Sequence, residues 1–173
     1  KLIALQVDPK RPYAREALSE LIGTLRGRIG ALIVPSAKSA RDIRAADGLL
    51  TEIEREQGLE VGTIKLGAVI KEPEVVEKET YPIASASRRL RWLILDIPEQ
   101  PKEAPDDPAT KGYNYYRSAF IAATSLADVD AIDGISYTSN LESETTLAAN
   151  WGFHGKVGKA NQIARINTMM NPQ

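Results

Sequence analysis

The chain contains one histidine, His154, the residue type best suited to proton transfer near neutral pH. A histidine that acts as a general acid or base is oriented by a carboxylate, and the sequence shows no such partner for it. His154 stands between Gly152 and Gly155, and this spacing predicts a plain turn that ends the preceding helix. Lys156 could hold an anionic substrate group, but a lysine that follows a glycine turn is typical of a solvated side chain.

Charged side chains also stand where apolar segments end. Glu72 precedes a proline and a helix, where a carboxylate complements the positive end of the helix dipole. Asp96 follows an apolar strand and could be a metal ligand, a loop-capping acceptor or a solvated turn residue. A cluster of three arginines could meet a cofactor phosphate, but its place at a helix end favours a complement to the negative end of the dipole. The three are Arg88, Arg89 and Arg91.

Composition limits the class of protein. At 173 residues with 43% apolar content, residues 1–173 are expected to form one domain. The net charge of −1 comes from 22 basic and 23 acidic residues, so neither nucleic acid nor another polyanion is an expected partner. The absence of cysteine excludes disulfides, a thiolate nucleophile and zinc–sulfur sites, and it fits a cytoplasmic protein. No apolar run is long enough to predict a membrane helix.

Strand and helix signals alternate along the chain. Short apolar runs predict strands at residues 2–7, 31–34, 64–70, 92–95 and 129–132. Apolar residues at three- and four-residue spacing predict helices at 14–25, 39–56, 74–86, 115–127, 141–151 and 163–169. Four prolines and interleaved charges predict a long loop over residues 96–114. The first strand begins at the first residue, so further residues are expected upstream.

This alternation predicts an α/β fold with a parallel sheet, either open and doubly wound or closed into a barrel. The segment after the first strand has no glycine-rich phosphate turn, which favours the (β/α)8 TIM-barrel type over a doubly wound sheet. A complete barrel needs about 200 residues or more. The chain is therefore expected to supply an incomplete barrel.

Four groups of motifs resemble those of a known enzyme family in their order and spacing. They are Ile83-Ala84 with Ala86-Ser87 and Arg89-Leu90; Tyr116-Arg117-Ser118 with Ala122-Ala123; Ala131-Ile132-Asp133-Gly134; and Gly152-Phe153-His154-Gly155-Lys156 with Gln162-Ile163, Ile166-Asn167 and Asn171-Pro172. The family is that of citrate lyase β-subunit-like, or HpcH/HpaI, aldolases, which includes malyl-CoA and citramalyl-CoA lyase relatives. The resemblance runs from about residue 2 to the end and corresponds to barrel strands three to eight.

The resemblance implies a carbon–carbon lyase of the aldol or retro-Claisen type. Its substrate would be a 2-oxo-4-hydroxy acid or a hydroxyacyl thioester of coenzyme A or a carrier protein. The implied cofactor is Mg²⁺, or another divalent cation such as Mn²⁺, on two carboxylates from neighbouring strands. By position these are Glu72 and Glu99. The family has aspartate at the second position and glycine three residues before it. This chain has Asp96 in place of that glycine, so Asp96 competes with Glu99 as the second ligand. The resemblance also implies a homo-oligomer, either a trimer or a hexamer.

Several family positions differ in this chain. Val7-Asp8 stands where the family has an arginine that steadies the enolate oxygen, and Ser36 stands where it has a lysine. Residues 159–161, Lys-Ala-Asn, replace the family Ile-His-Pro. These differences keep a second hypothesis open, in which the chain is a catalytically degenerate scaffold or regulatory member of the family. They also leave the general base and the enolate-stabilising group unassigned.

Overall fold

The computed structural model describes residues 3–25, 27–97, 108–134 and 141–170, with the side chains of residues 108–112 excepted. In these residues six strands alternate with six helices, so the predicted α/β class is confirmed. The strands are β1 (Ile3–Gln6), β2 (Ile29–Val34), β3 (Lys65–Ile70), β4 (Leu90–Leu95), β5 (Asp130–Asp133) and β6 (Gly155–Lys156). The helices are α1 (Ala14–Thr24), α2 (Ala40–Glu56), α3 (Pro73–Ala84), α4 (Pro108–Leu126), α5 (Leu141–Trp151) and α6 (Ile163–Met170). None of these helices is long and apolar enough to cross a membrane.

The six strands form one parallel sheet in sequence order, β1 to β6. Parallel crossovers are right-handed, so strands added in sequence order place all their helices on the same face of the sheet. The result is a curled half-barrel, consistent with the predicted incomplete TIM barrel. The described strands do not include the eight of a closed (β/α)8 barrel.

Burial separates the two faces of the sheet. Leu66, Ala68 and Ile70 of β3 face the helices and have no exposed surface. The stripe of α2 that packs into the same core is equally buried, and it consists of Ile43, Ala46, Leu50 and Ile53. Each of the leucine and isoleucine side chains among them stabilises the fold by about 1.5–3 kcal/mol through burial. The concave face carries Ile33, Trp92, Ile94 and Ile132, which are only partly buried.

The structure corrects two predictions of secondary structure. Helix α4 begins at Pro108, so residues 108–114 are helical and not part of a loop. Proline is tolerated in the first turn of a helix, where its missing N–H has no partner to lose. Strand β6 was not predicted, because it has two residues and no apolar run. Residues 98–107, the rest of the predicted loop, lie outside the described residues.

Candidate functional site

The carboxyl ends of parallel strands meet at one rim of the sheet, where barrel enzymes place their active sites. Ile70 at the end of β3 pairs with Leu95 at the end of β4. Glu72 and Asp96, which follow these two residues, therefore lie at the same rim on neighbouring strands. Glu99, the other predicted ligand, lies outside the described residues. We refer to the strand ends with Glu72 and Asp96 as the candidate rim.

Glu72 is the N-cap residue of α3, but its side chain makes no capping hydrogen bond. Its backbone carbonyl accepts the N–H groups of Val75 and Val76, which fixes the start of the helix. Its carboxylate lies 2.6 Å from Nζ of Lys38, and both side chains are about half exposed. The hydrogen bond to Glu72 and its negative charge raise the pKa of Lys38. The carboxylate is thus directed at a cation across the rim and not at the N–H groups of its own helix.

Asp96 is buried, so the alternative of a solvated turn residue is wrong. Its N–H donates to the carbonyl of Ile70, which continues the β3–β4 ladder by one residue. Its carboxylate lies 3.9 Å from Nζ of Lys71. Gly134 is packed against it, because a Cβ at that position would lie 2.9 Å from Oδ1 of Asp96 and 2.4 Å from the carbonyl oxygen of Leu95. Only glycine fits there without displacing the backbone of Leu95 and Asp96.

The two carboxylates fit the chemistry of a hard divalent cation. Glu72 already lies beside the ammonium of Lys38, and Asp96 lies beside that of Lys71. Both carboxylates therefore attract a positive charge. Mg²⁺ keeps several water ligands and is bound by one or two protein carboxylates, which is what the rim supplies. No group of three or more histidine, cysteine or acidic side chains that could hold a metal ion occurs in the part of the chain that the structure describes, the candidate rim included. Among the described residues, a metal ion at this rim would have to be held by Glu72, Asp96 and water.

A second set of charges lies on the helix-covered face of the sheet. Nζ of Lys156 is 2.5 Å from Oδ2 of Asp133, 3.2 Å from the carbonyl oxygen of Gly134 and 3.6 Å from Oε2 of Glu144. Arg117 of α4 lies 4.0 Å from the other carboxylate oxygen of Asp133. All four charged side chains are buried. The predicted solvated role of Lys156 is wrong, because Asp133 and Glu144 provide the opposite charge that a buried ammonium needs. We call Arg117, Asp133, Glu144 and Lys156 the buried ion cluster.

Tyr113 covers one side of the buried ion cluster. The guanidinium carbon of Arg117 lies 4.6 Å from the centroid of the Tyr113 ring, within the range of a cation–π contact. Burial raises the pKa of the Tyr113 phenol well above its ordinary value. The phenol therefore stays protonated near neutral pH and is not a general base. The i, i+4 spacing of Tyr113 and Arg117 could have indicated this contact, but a loop was predicted over Tyr113.

His154 lies at the opposite rim. Its Nδ1 accepts the N–H of Ala131 at 3.2 Å, and its Nε2 lies 4.0 Å from Oδ1 of Asp130. Both partners belong to the start of β5, so His154 is far along the strand direction from Glu72 and Asp96. The predicted turn is confirmed, since Gly152 has a φ of 91°. Asp130 is the carboxylate partner that sequence reasoning missed, because the two residues are distant in the chain.

Arg89 also lies towards the opposite rim, between the end of α3 and the start of β4. It forms ion pairs with Asp47 at 2.5 Å and Glu54 at 2.8 Å, both on α2. Its predicted role at a helix end is therefore wrong. Burial alone would raise the pKa of Asp47, but hydrogen bonds from Ser87 and Arg89 outweigh it and lower that pKa. Arg89 joins α2 to β4 as a structural residue.

Val7 and Asp8, which stand where the family has an arginine, carry no positive charge. Val7 packs against the hydrophobic core. Oδ1 of Asp8 accepts the N–H of Lys10 at 3.0 Å, which stabilises the turn after β1. Neither side chain could steady a developing negative charge on oxygen. At this position the chain therefore has no substitute for the arginine that the resemblance leads one to expect.

Comparisons with known proteins agree with this architecture. No protein-family profile matches the chain. The chain is 28% identical over 162 residues to the citrate lyase subunit beta of Haemophilus influenzae, an alignment that covers 90% of this chain and 55% of that protein. The chain therefore spans about half the length of this curated relative.

Solved structures share the fold at lower identity. A citrate lyase from Burkholderia xenovorans superposes with a TM-score of 0.78 at 12% identity, over 99% of this chain and 58% of that chain. The protein CitE from Mycobacterium tuberculosis, solved in complex with magnesium and pyruvate, has a TM-score of 0.67 at 16% identity, over 99% of this chain and 68% of that chain. Together with the shared sequence, these findings confirm the resemblance of the chain to the citrate lyase β-subunit-like, or HpcH/HpaI, aldolases.

Proposed function

We propose that the candidate rim is the active site of a metal-dependent carbon–carbon lyase of the aldol or retro-Claisen type. The substrate class is a 2-oxo-4-hydroxy acid or a hydroxyacyl thioester of coenzyme A or a carrier protein. The observation that carries the proposal is the placement of Glu72 and Asp96 on neighbouring strand ends, each with a lysine ammonium beside its carboxylate. The family relationship supplies the reaction class.

Glu72 and Asp96 would hold the metal, and Glu99 is proposed as a further ligand from its position in the sequence. When bound, magnesium or manganese would supply Lewis-acid stabilisation of the negative charge that develops on substrate oxygen. The chain's own contribution is to keep both carboxylates at one rim. The N–H groups of Val75 and Val76 donate to the carbonyl of Glu72 and fix its backbone, and the N–H of Asp96 donates to the carbonyl of Ile70. The solved complex of the mycobacterial relative with magnesium and pyruvate supports this choice of metal and of a 2-oxo acid ligand.

The test is isothermal titration of the protein with magnesium chloride. Glu72→Gln removes the charge and keeps the size of the side chain, so we expect magnesium affinity to fall by about tenfold or more, as is typical when one of few charged ligands is lost. Glu74→Gln is the matched control, because Glu74 is an exposed acid on the same helix that pairs with Lys78. Equal magnesium affinity in the wild type and in Glu72→Gln would refute the assignment of Glu72.

A second candidate function is a scaffold or regulatory member of the family without lyase activity. The observation that favours it is the replacement after β1, where the partly buried Val7 packs against the core and Asp8 accepts a hydrogen bond from the turn. Absence of magnesium binding in the wild-type protein would favour this second function over the first.

The remaining properties follow from the family relationship and are proposals as well. We propose that residues 1–173 form one partial barrel domain, that the protein acts in the cytoplasm, and that it assembles as a homo-oligomer. The chain spans about half the length of its curated relative, so the activity of the whole relative is carried to this chain only as a proposal.

A further inference from the structure

Lys38 lies at the candidate rim and is not used by the proposed function. It is in the loop between β2 and α2, and its Nζ is 2.6 Å from Oε1 of Glu72. The ammonium therefore sits against the carboxylate that we assign to the metal. The two cations compete for the same oxygen ligands, because an ammonium and a divalent ion at one carboxylate repel each other.

The backbone of Lys38 is fixed by hydrogen bonds, whereas its side chain is exposed and is not confined by packing. The N–H of Lys38 donates to Oδ2 of Asp42 at 2.8 Å, and the N–H of Ala37 donates to the carbonyl of Val69 at 2.9 Å. Nζ of Lys10 lies 2.8 Å from the other carboxylate oxygen of Asp42, so the side chain that accepts from the N–H of Lys38 is itself held in place. The Lys38 side chain is 59% exposed. A lysine stem of four carbons can swing its ammonium by several ångströms without any change in this backbone.

An exposed lysine–carboxylate pair is weak, because water solvates both charges well. Magnesium can therefore displace Lys38 from Glu72 at small cost. The released ammonium remains beside the metal, where its positive charge is unfavourable until an anion arrives. A carboxylate on the substrate can lie between the two cations and neutralise both.

We propose that Lys38 is a substrate-binding residue, which magnesium displaces from Glu72 and which then receives the carboxylate of the substrate. This inference rests on the proposed function, since it requires the metal at Glu72. It assigns an order to the site, with the metal first and the anionic substrate second. It also predicts that Lys38 opposes the binding of the metal alone and favours the binding of the anion to the metal-loaded protein.

Lys38→Met tests both effects, the one on magnesium affinity and the one on anion affinity, with two titrations. With magnesium chloride alone, we expect the variant to bind about two- to fivefold tighter than wild type, because the competing ammonium is gone. With pyruvate at saturating magnesium, we expect it to bind about fivefold or more weaker, because a charge-assisted hydrogen bond is lost. By linkage, pyruvate should strengthen magnesium binding more in the wild type than in the variant. Both readouts are binding affinities and need no turnover.

Two further variants complete the design. Lys38→Arg keeps the charge, so it should bind magnesium alone like the wild type. Lys78→Met is the matched control, because Lys78 forms an exposed pair with Glu74 at 3.0 Å on α3 and changes the net charge equally. Lys38 is exposed, so thermal unfolding should confirm that every variant is folded.

The outcomes separate this inference from the proposed function. If neither the wild type nor Lys38→Met binds magnesium, the proposed metal site is wrong and the role of Lys38 falls with it. If both bind magnesium equally well, or if pyruvate affinity is unchanged by Lys38→Met, the metal site stands and the role of Lys38 is refuted. Opposite shifts in the two titrations, with Lys78→Met unchanged in both, support it.

Discussion

Lys156→Met should destabilise the protein strongly, because it removes one charge from the buried ion cluster. The side chain of Lys156 is 1% exposed and that of Asp133 is 0% exposed, so solvent does not screen their interaction. The cluster has two positive and two negative groups, and the substitution leaves it with an uncompensated negative charge. Methionine has a similar length, so packing changes little. Loss of one partner from a buried ion pair costs about 3–5 kcal/mol.

The free energy of unfolding can be measured by urea denaturation followed by circular dichroism. For a chain of this length, a loss of this size lowers Tm by about 10 °C. Lys159→Met is the matched control, because it removes the same charge from an exposed position three residues further on. We expect the control to change the free energy of unfolding by less than about 0.5 kcal/mol.

A double variant distinguishes charge from packing. Asp133→Asn combined with Lys156→Met removes both members of the closest pair, so its cost should be clearly less than the sum of the two single costs. If Lys156→Met is as stable as Lys159→Met, or if the two single costs simply add, the interpretation of the cluster as a coupled ionic unit is refuted.

Two more predictions concern the remaining parts of the structure. Gly134→Ala should lower the free energy of unfolding by about 1–3 kcal/mol in urea denaturation, because its Cβ would lie 2.4 Å from the carbonyl oxygen of Leu95. The control is Gly48→Ala in α2, which meets no atom within 4 Å and should be neutral or stabilising. Equal stability of the two variants would contradict this prediction. The lowered pKa of Asp47 makes its ionised form stabilising above the ordinary carboxyl value of 3.8, and this contribution is lost as the pH falls through the pKa of the folded state. The difference in unfolding free energy between the wild type and Asp47→Asn should therefore be smaller at pH 3 than at pH 7, and a difference independent of pH would contradict the role of the Arg89 pair.

The first four strands and the first three helices could be predicted from the sequence because each has a continuous apolar run or a clear helical stripe. Helix α2 shows why, since its four core residues at helical spacing are all fully buried. β6 could not be predicted, because two residues carry no periodicity. The start of α4 was missed because Pro108 was interpreted as a breaker, although proline suits the first turn of a helix.

The candidate site was only partly predictable for a different reason. Glu72 was singled out because it follows a strand and coincides with a family ligand position, whereas Asp96 was singled out only as the competitor of Glu99, which lies outside the described residues. The burial of Lys156 and Asp96 was missed, since it depends on residues that are distant in the chain. Glu144 and Asp133 neutralise Lys156, and Gly134 covers Asp96. Such contacts arise from the topology of the sheet and leave no local pattern.

Strand geometry explains why two neighbouring aspartates have different roles. Side chains alternate between the two faces of a strand, so a shift of one residue changes the face. Asp133 pairs with Leu95 and faces the helices, where Arg117 and Lys156 neutralise it permanently. Asp96 follows Leu95 by one residue, and its carboxylate lies 3.9 Å from the ammonium of Lys71 at the rim. The cations beside Asp133 are themselves buried, so Asp133 cannot exchange its partners. Glu72 and Asp96 lie beside the exposed ammonium groups of Lys38 and Lys71, which can move away and leave the carboxylates to a metal. This difference, and not residue type, is why the proposed chemistry belongs to Glu72 and Asp96.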